Sequence, residues 1–97
     1  MKKKIYCLNF NDNLGTRDQI TSLLDSNRDK IPNWYYCMTN TIFIVSFYTA
    51  KELAEFIKKL DKDNVARFFV QEIIPNSNSW GCLPQDAHSF INKYVSQ

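Results

Sequence analysis

The sequence predicts an α+β fold built on a four-stranded antiparallel sheet, and three features of the chain support this. Asn33–Tyr48 is the densest run of aromatic and β-branched residues, and it is interrupted only at Thr39-Asn40. This pattern indicates two neighbouring strands joined by a tight turn. Thr16–Gln19 and Thr49–Glu52 have the form of capping boxes, which mark helix starts before and after the hairpin.

The first half of the chain predicts a strand followed by a helix. Lys3–Phe10 is apolar on both faces at its centre, which is typical of a central strand covered on both sides. A helix over residues 16–28 follows, with Ile20, Leu23 and Leu24 at helical spacing. Pro32 prevents its continuation, because the residue before a proline avoids the helical region.

The second half of the chain repeats this alternation. Thr41–Tyr48 is apolar at almost every position and predicts a second central strand. Residues 50–60 predict a helix, Val65–Ile74 a fourth strand, and residues from Pro84 onward a last helix. The apolar stripes of these two helices are formed by Leu53, Phe56, Ile57 and Leu60, and by Ala87, Phe90, Ile91, Tyr94 and Val95.

The order strand, helix, strand, strand, helix, strand is that of the ferredoxin-like fold, with a helix added at the end. Right-handed crossovers place helices 16–28 and 50–60 on one face of a sheet with strand order 4-1-3-2. The other face is rich in large apolar residues, and a bare patch of that size is costly in water. We therefore expect the last helix, a second subunit, or both to cover it, and we expect a homodimer.

Composition indicates one domain spanning residues 1–97 and excludes some classes of function. The net charge of +2 is too small for a basic nucleic-acid-binding face. The only basic run, Lys2-Lys3-Lys4, is either a solvated strand start or a phosphate contact. Three widely spaced cysteines and one histidine predict no metal site. The odd cysteine count, with neither a secretory signal nor a membrane span, predicts a cytoplasmic protein that contacts no membrane.

Few residues have the character of a catalytic or binding site. His88 flanks the apolar stripe of the last helix and is interpreted as a packing residue, while Asp61 and Asp63 are interpreted as solvated loop residues. The triplet Asn11–Asn13 follows the first strand, where open sheets often bind ligands, but turn chemistry explains it equally well.

The same order of elements occurs in RNA-recognition motifs, which stack bases on aromatic residues of their third strand. In this chain Ile42 and Ile44 occupy those positions, so the third strand excludes that function.

Several short motifs resemble a family of small bacterial proteins often labelled "SinR family", although these are not helix-turn-helix regulators. The resemblance spans nearly the whole chain, and the short motifs that carry it are Asn33–Tyr36, Thr41–Val45, Thr49–Leu53 and Trp80–Ala87. The family is similar to the small CRISPR adaptation endonuclease and to VapD-type ribonuclease toxins. The resemblance implies a ferredoxin-like fold, a homodimer, and a phage, plasmid or defence context.

The resemblance also implies where a nuclease site would lie. In the nuclease relatives, an Asp in a Tyr-Asp dipeptide at the end of the first strand is the proposed metal ligand. Leu8-Asn9 holds that place here, and Asn lacks the anionic oxygen that a hard divalent cation favours. We therefore expect a non-enzymatic homodimeric interaction module without a cofactor. The alternative is a toxin-type endoribonuclease that uses Mg²⁺ or Mn²⁺, with Asp12 in place of the missing Asp.

Overall fold

The computed structural model describes residues 2–74 and 83–95 and confirms the ferredoxin-like α+β architecture. All strand pairings are antiparallel, and the sheet has the order β2-β3-β1-β4, which is the predicted order read from the other edge. The predicted loop at residues 75–79 and the start of the Trp80–Ala87 motif lie outside the described residues. The elements are β1 (Lys4–Phe10), α1 (Arg17–Asp25), β2 (Asn33–Met38), β3 (Thr41–Ser46), α2 (Ala50–Ile57), β4 (Phe68–Glu72) and α3 (Gln85–Val95).

Both predicted capping boxes are present, and they fix where α1 and α2 begin. The hydroxyl of Thr16 accepts from the Gln19 N–H at 3.1 Å, and the Gln19 side chain accepts from the Thr16 N–H at 2.8 Å. Thr49 and Glu52 make the same exchange at 3.1 and 2.9 Å. Each box satisfies two of the backbone donors that a helix start leaves free.

Alternate residues of the strands form the core between the sheet and these two helices. Tyr6 and Leu8 of β1 and Ile42 and Ile44 of β3 lose nearly all solvent contact there. The helices contribute Ile20, Leu24, Leu53, Phe56 and Ile57. Burial of such side chains stabilises the fold by roughly 1.5–3 kcal/mol each.

The edge strand β2 is tied to α1 by polar and aromatic contacts. The indole N–H of Trp34 donates to Asp25 Oδ1 at 2.8 Å. The Arg17 guanidinium carbon lies 4.2 Å from the centre of the Tyr36 ring, a cation–π geometry. These contacts hold the helix-facing side of β2 in place.

The last helix, α3, packs on the other face of the sheet, which is one of the alternatives that the sequence left open. The ring of Phe90 stacks on Tyr35 of β2 at 5.5 Å, and the Tyr94 hydroxyl accepts from Asn33 Nδ2 at 3.1 Å. Ala87 is fully buried, and Phe43 of β3 is only 5% exposed. His88 is half-buried, and its Nε2 accepts from the Leu83 N–H at 3.4 Å.

The segment between α2 and β4 corrects two predictions. Val65–Ile74 was expected to be a strand, but β4 covers only Phe68–Glu72. Asp61 was expected to be solvated, but it is buried. Its Oδ1 accepts from the backbone N–H groups of Val65 and Ala66 at 3.0 and 3.2 Å, which keeps those two residues out of the ladder.

Several helix and strand ends also differ from the predicted ones. The helix predicted over residues 16–28 ends at Asp25, and turns follow it. Strand β3 ends at Ser46 rather than at Tyr48. After Ile57, α2 continues as a 3-10 turn, Lys58–Leu60. No helix among the described residues is long and apolar enough to cross a membrane.

Candidate interaction surface

The face of the sheet that carries α3 is only partly covered by that helix. Strand pairing aligns Met38, Thr41, Asn9 and Phe69 in one row across all four strands, at the end of the sheet away from Tyr94. We call these four residues the open row. The Phe69 side chain is 65% exposed and Met38 is 42% exposed, whereas Phe43 in the neighbouring row is buried. An apolar residue therefore lies at each end of the open row.

The centre of the open row is polar and contains Asn9, at the position where the resemblance would imply a metal ligand. Asn9 is exposed, and its Oδ1 accepts from the Thr41 hydroxyl at 2.8 Å. Its Nδ2 lies 3.7 Å from the sulfur of Cys7. Burial raises the pKa of the Cys7 thiol, and the weak bond from Asn9 opposes this shift. A thiol that keeps its proton is a poor nucleophile or metal ligand.

Asp12 does not lie beside Asn9 on the open row. It begins a 3-10 turn, Asp12–Leu14, beyond the end of β1, and its carboxylate accepts from Asn40 Nδ2 at 3.1 Å. The same Asn40 nitrogen donates to the Phe10 carbonyl at 2.8 Å. Asp12 therefore helps to fasten the β2–β3 turn to the end of β1.

The other two residues of the Asn11–Asn13 triplet also make structural contacts. Asn11 Oδ1 accepts from the Arg67 N–H at 3.0 Å, and Asn13 Nδ2 donates to the Val65 carbonyl at 3.4 Å. Both bonds hold the segment that leads into β4. The turn interpretation explains all three members of the triplet, and Asn40 is the partner that the sequence did not identify.

The three lysines at the start of the chain do not converge on one point. Lys4 lies 3.9 Å from the Glu72 carboxylate, and Lys3 lies 5.9 Å from the centre of the Tyr94 ring. Lys2 is exposed. Lys4 is also five residues from Asn9 along β1, which is roughly 17 Å at strand spacing. A phosphate held by Lys3 or Lys4 would thus lie at the opposite end of the strand from Asn9.

Among residues 2–74 and 83–95, no cluster of three or more His, Cys, Asp or Glu side chains has the geometry to hold a metal ion. Phe69 and Met38 of the open row, together with Val65 and Ile74, are the large apolar side chains that the described residues expose to solvent.

Comparison with known proteins places this chain in no family. No protein-family model matches the sequence, and neither the curated proteins nor the solved structures include a significant match. The fold is thus assigned from the structure itself, and the likeness to the "SinR family" proteins rests on the short motifs quoted above.

Proposed function

We propose that this protein is a non-enzymatic, homodimeric interaction module of the cytoplasm. The observation that carries the proposal is the exposure of Phe69 on β4, an edge strand of the sheet. A large aromatic side chain that is 65% exposed, with Val65 and Ile74 also exposed before and after the strand, supports the proposal that this part of the surface binds another protein.

The contacts of the polar residues support a role without catalysis. Asn9 offers a neutral oxygen that already accepts a hydrogen bond from Thr41, and Asp12 is held by Asn40. A metal-dependent nuclease needs anionic oxygens directed at one point. Asp12 would have to leave the turn that it fastens in order to supply such an oxygen beside Asn9.

The resemblance to proteins related to the CRISPR adaptation endonuclease and to VapD-type toxins supports the homodimer independently of the exposed side chains. On that resemblance, the module acts in a phage, plasmid or defence setting. The three cysteines, two of which are free thiols in the described residues, suit a reducing compartment.

Light scattering coupled to size-exclusion chromatography tests the dimer at micromolar protein concentration. We expect a mass twice that of one chain. Phe69→Ala is expected to weaken the dimer about tenfold or more, as truncation of a buried interface aromatic does. Glu55→Ala, an exposed change on α2 at the opposite face of the sheet, is the matched control and leaves the dimer unchanged. A single-chain mass for the wild type overturns the proposal.

A further inference from the structure

In the part of the chain that the structure describes, no residue pairs through its backbone with the outer edge of β4. The Asn11 N–H donates to the Arg67 carbonyl at 2.9 Å, and the Ile73 N–H donates to the Ile5 carbonyl at 2.9 Å. The odd-numbered residues of this segment thus direct their backbone groups toward β1. Backbone groups of alternate residues in an antiparallel strand point to opposite sides. The N–H and C=O groups of Phe68, Val70 and Glu72 therefore point away from β1, where no strand of the described chain pairs with them.

This edge lacks the features that usually prevent pairing with another strand. Natural edge strands are protected by lysine, proline, bulges or an inward-pointing charge. The sequence of β4 is Phe-Phe-Val-Gln-Glu, and its only charge is at the last position. Phe69 is the most exposed of the large apolar residues that the structure describes. The strand is thus suited to adding a further strand to the sheet.

The opposite edge of the sheet is less suited to this. The pairing of β2 with β3 shifts register between Tyr35 and Met38, so the strand is irregular. Its aromatic side chains are already engaged, with Tyr36 under Arg17 and Tyr35 under Phe90. Strand addition is therefore expected at β4 and not at β2.

We propose that β4 pairs antiparallel with β4 of a second copy, with Phe69 opposite the partner subunit's Phe69, to form one continuous eight-stranded sheet. This inference rests on the proposed homodimer and specifies its interface. Residues directly opposite each other in two paired strands have their side chains on the same face of the sheet. The backbone N–H and C=O groups that point away from β1 in one subunit can pair only with the corresponding groups of the other subunit. The hydrogen-bonded pairs are then Phe68 with the partner subunit's Val70, and Val70 with the partner subunit's Phe68.

The side chains of β4 are complementary to themselves in this register. Phe68 lies opposite Val70 on the helix-covered face, and the two Phe69 rings meet on the other face. Arg67 lies opposite Gln71, so no like charges are adjacent. Sliding one strand by two residues in one direction would place Phe68 opposite the Glu72 carboxylate, and sliding it in the other direction would place each exposed Phe69 ring opposite the Arg67 side chain instead of the other Phe69. The register centred on Phe69 is therefore preferred, because cross-strand pairs of apolar side chains stabilise a sheet.

Disulfide trapping tests the register. Phe69→Cys and Gln71→Cys are made separately in a background in which Cys7, Cys37 and Cys82 are replaced by Ala, with folding checked by circular dichroism. Each is incubated with oxidised glutathione at a protein concentration at which light scattering shows that variant to be dimeric, because loss of the Phe69 ring weakens the dimer, and is then examined on a non-reducing gel. Two Cys residues at position 69 would have Cα atoms about 4.5 Å apart, within the disulfide range. Two at position 71 would lie roughly 13 Å apart along the strands and cannot be bridged.

The outcomes separate this inference from the proposed function. Cross-linking through position 69 and not through position 71 supports the β4 pairing. A wild-type dimer whose position-69 variant is not trapped, or whose position-71 variant is trapped instead, overturns the pairing and leaves the homodimer standing. A wild-type monomer in light scattering rejects both.

Hydrogen exchange of the unmodified protein gives a second measurement that depends on no substitution. The amides of Phe68 and Val70 are expected to be protected at concentrations where the dimer forms and to exchange rapidly on dilution. The amide of Ile73, which is bonded to Ile5 within one chain, serves as the internal control and stays protected at both concentrations. Rapid exchange at Phe68 and Val70 in the dimer overturns the proposed interface.

Discussion

The hydroxyl of Tyr6 donates a 2.6 Å hydrogen bond to the carbonyl oxygen of Tyr48. Tyr6 lies fully buried in the middle of β1, and Tyr48 immediately precedes Thr49, the N-cap of α2. The Tyr48 hydroxyl in turn accepts from Asn27 Nδ2 at 2.8 Å. This chain of bonds joins the central strand, the turn after α1 and the start of α2.

Tyr6→Phe tests how much the hydrogen bond from Tyr6 to Tyr48 contributes to stability. The substitution keeps the buried ring and removes only the hydroxyl, so the Tyr48 carbonyl loses its donor. We expect the free energy of unfolding to fall by about 0.5–1.5 kcal/mol, the usual net value of one such bond. Urea denaturation monitored by circular dichroism measures it. Unchanged stability would show that water replaces the hydroxyl at no cost.

Asp61 makes stability depend on pH in the acid range. The Lys58 ammonium, 2.9 Å from Oδ2, is the main cause that lowers the pKa of the Asp61 carboxyl below its ordinary value of 3.8. The backbone bonds from Ala66 and Val65 act in the same direction, and burial opposes them. Because the unfolded chain takes up this proton at a higher pH than the folded chain, the stabilisation is complete above 3.8 and is lost as pH falls through the folded pKa.

Asp61→Asn should therefore flatten the fall in stability below pH 4 or so while lowering stability at neutral pH. Unfolding by urea at a series of pH values measures both effects. Asp63→Asn is the control, since it removes one negative charge from an exposed position of the same loop. If the free energy of unfolding of Asp61→Asn falls with decreasing pH as steeply as that of the wild type, Asp61 is not the group that causes the acid dependence.

Phe90 attaches α3 to the sheet through aromatic contacts. Its ring contacts Tyr35 at 5.5 Å and Tyr94 at 5.1 Å, and it is half-buried. Phe90→Ala is expected to cost about 3 kcal/mol, the lower end of the range for buried Phe truncations. Ser89→Ala, an exposed change in the same helix, should cost less than about 0.5 kcal/mol. Equal stability of the two variants would mean that α3 is only loosely attached.

The topology was predictable because local signals agreed with one another. Two capping boxes, an amphipathic stripe at Leu53–Leu60 and continuous apolar runs in β1 and β3 each specify one element. Handedness rules then leave little choice of strand order. Capping boxes and helical stripes depend on residues that are near each other in sequence, and continuous apolar runs indicate the burial of a whole strand. Both kinds of signal can be read directly from the order of residues in the sequence.

The missed features depend on single polar contacts between distant segments or on loop geometry. Asn40 fastens Phe10 and Asp12 from thirty and twenty-eight residues away, and no spacing rule indicates that partner. Asp61 was misinterpreted because its burial depends on how the loop to Val65 folds back. The surplus of apolar residues on one sheet face was visible in the sequence, but the exposure of Phe69 in particular was not.

The position of Asn9 leads to a prediction about catalysis. In the nucleases that the sequence motifs resemble, the proposed site has two symmetry-related Asp side chains that hold a metal ion between subunits, where it polarises a phosphodiester and activates water. A pair of Asn residues offers neutral oxygens only, and Asn9 Oδ1 already accepts from Thr41. Asp12 lies three residues further on, roughly 10 Å at extended spacing, and is bonded to Asn40.

We therefore predict that the purified protein cleaves neither RNA nor DNA in the presence of Mg²⁺ or Mn²⁺. Labelled single- and double-stranded substrates are incubated with the wild type and with Asp12→Ala, and the products are separated on denaturing gels. Chelation of the metal by EDTA shows whether any cleavage depends on the ion. Metal-dependent cleavage by the wild type that disappears in Asp12→Ala, while circular dichroism shows that this variant keeps its fold, would establish the endoribonuclease alternative. Cleavage that persists in Asp12→Ala would point to a contaminating nuclease, because Asn9 alone cannot hold the cation.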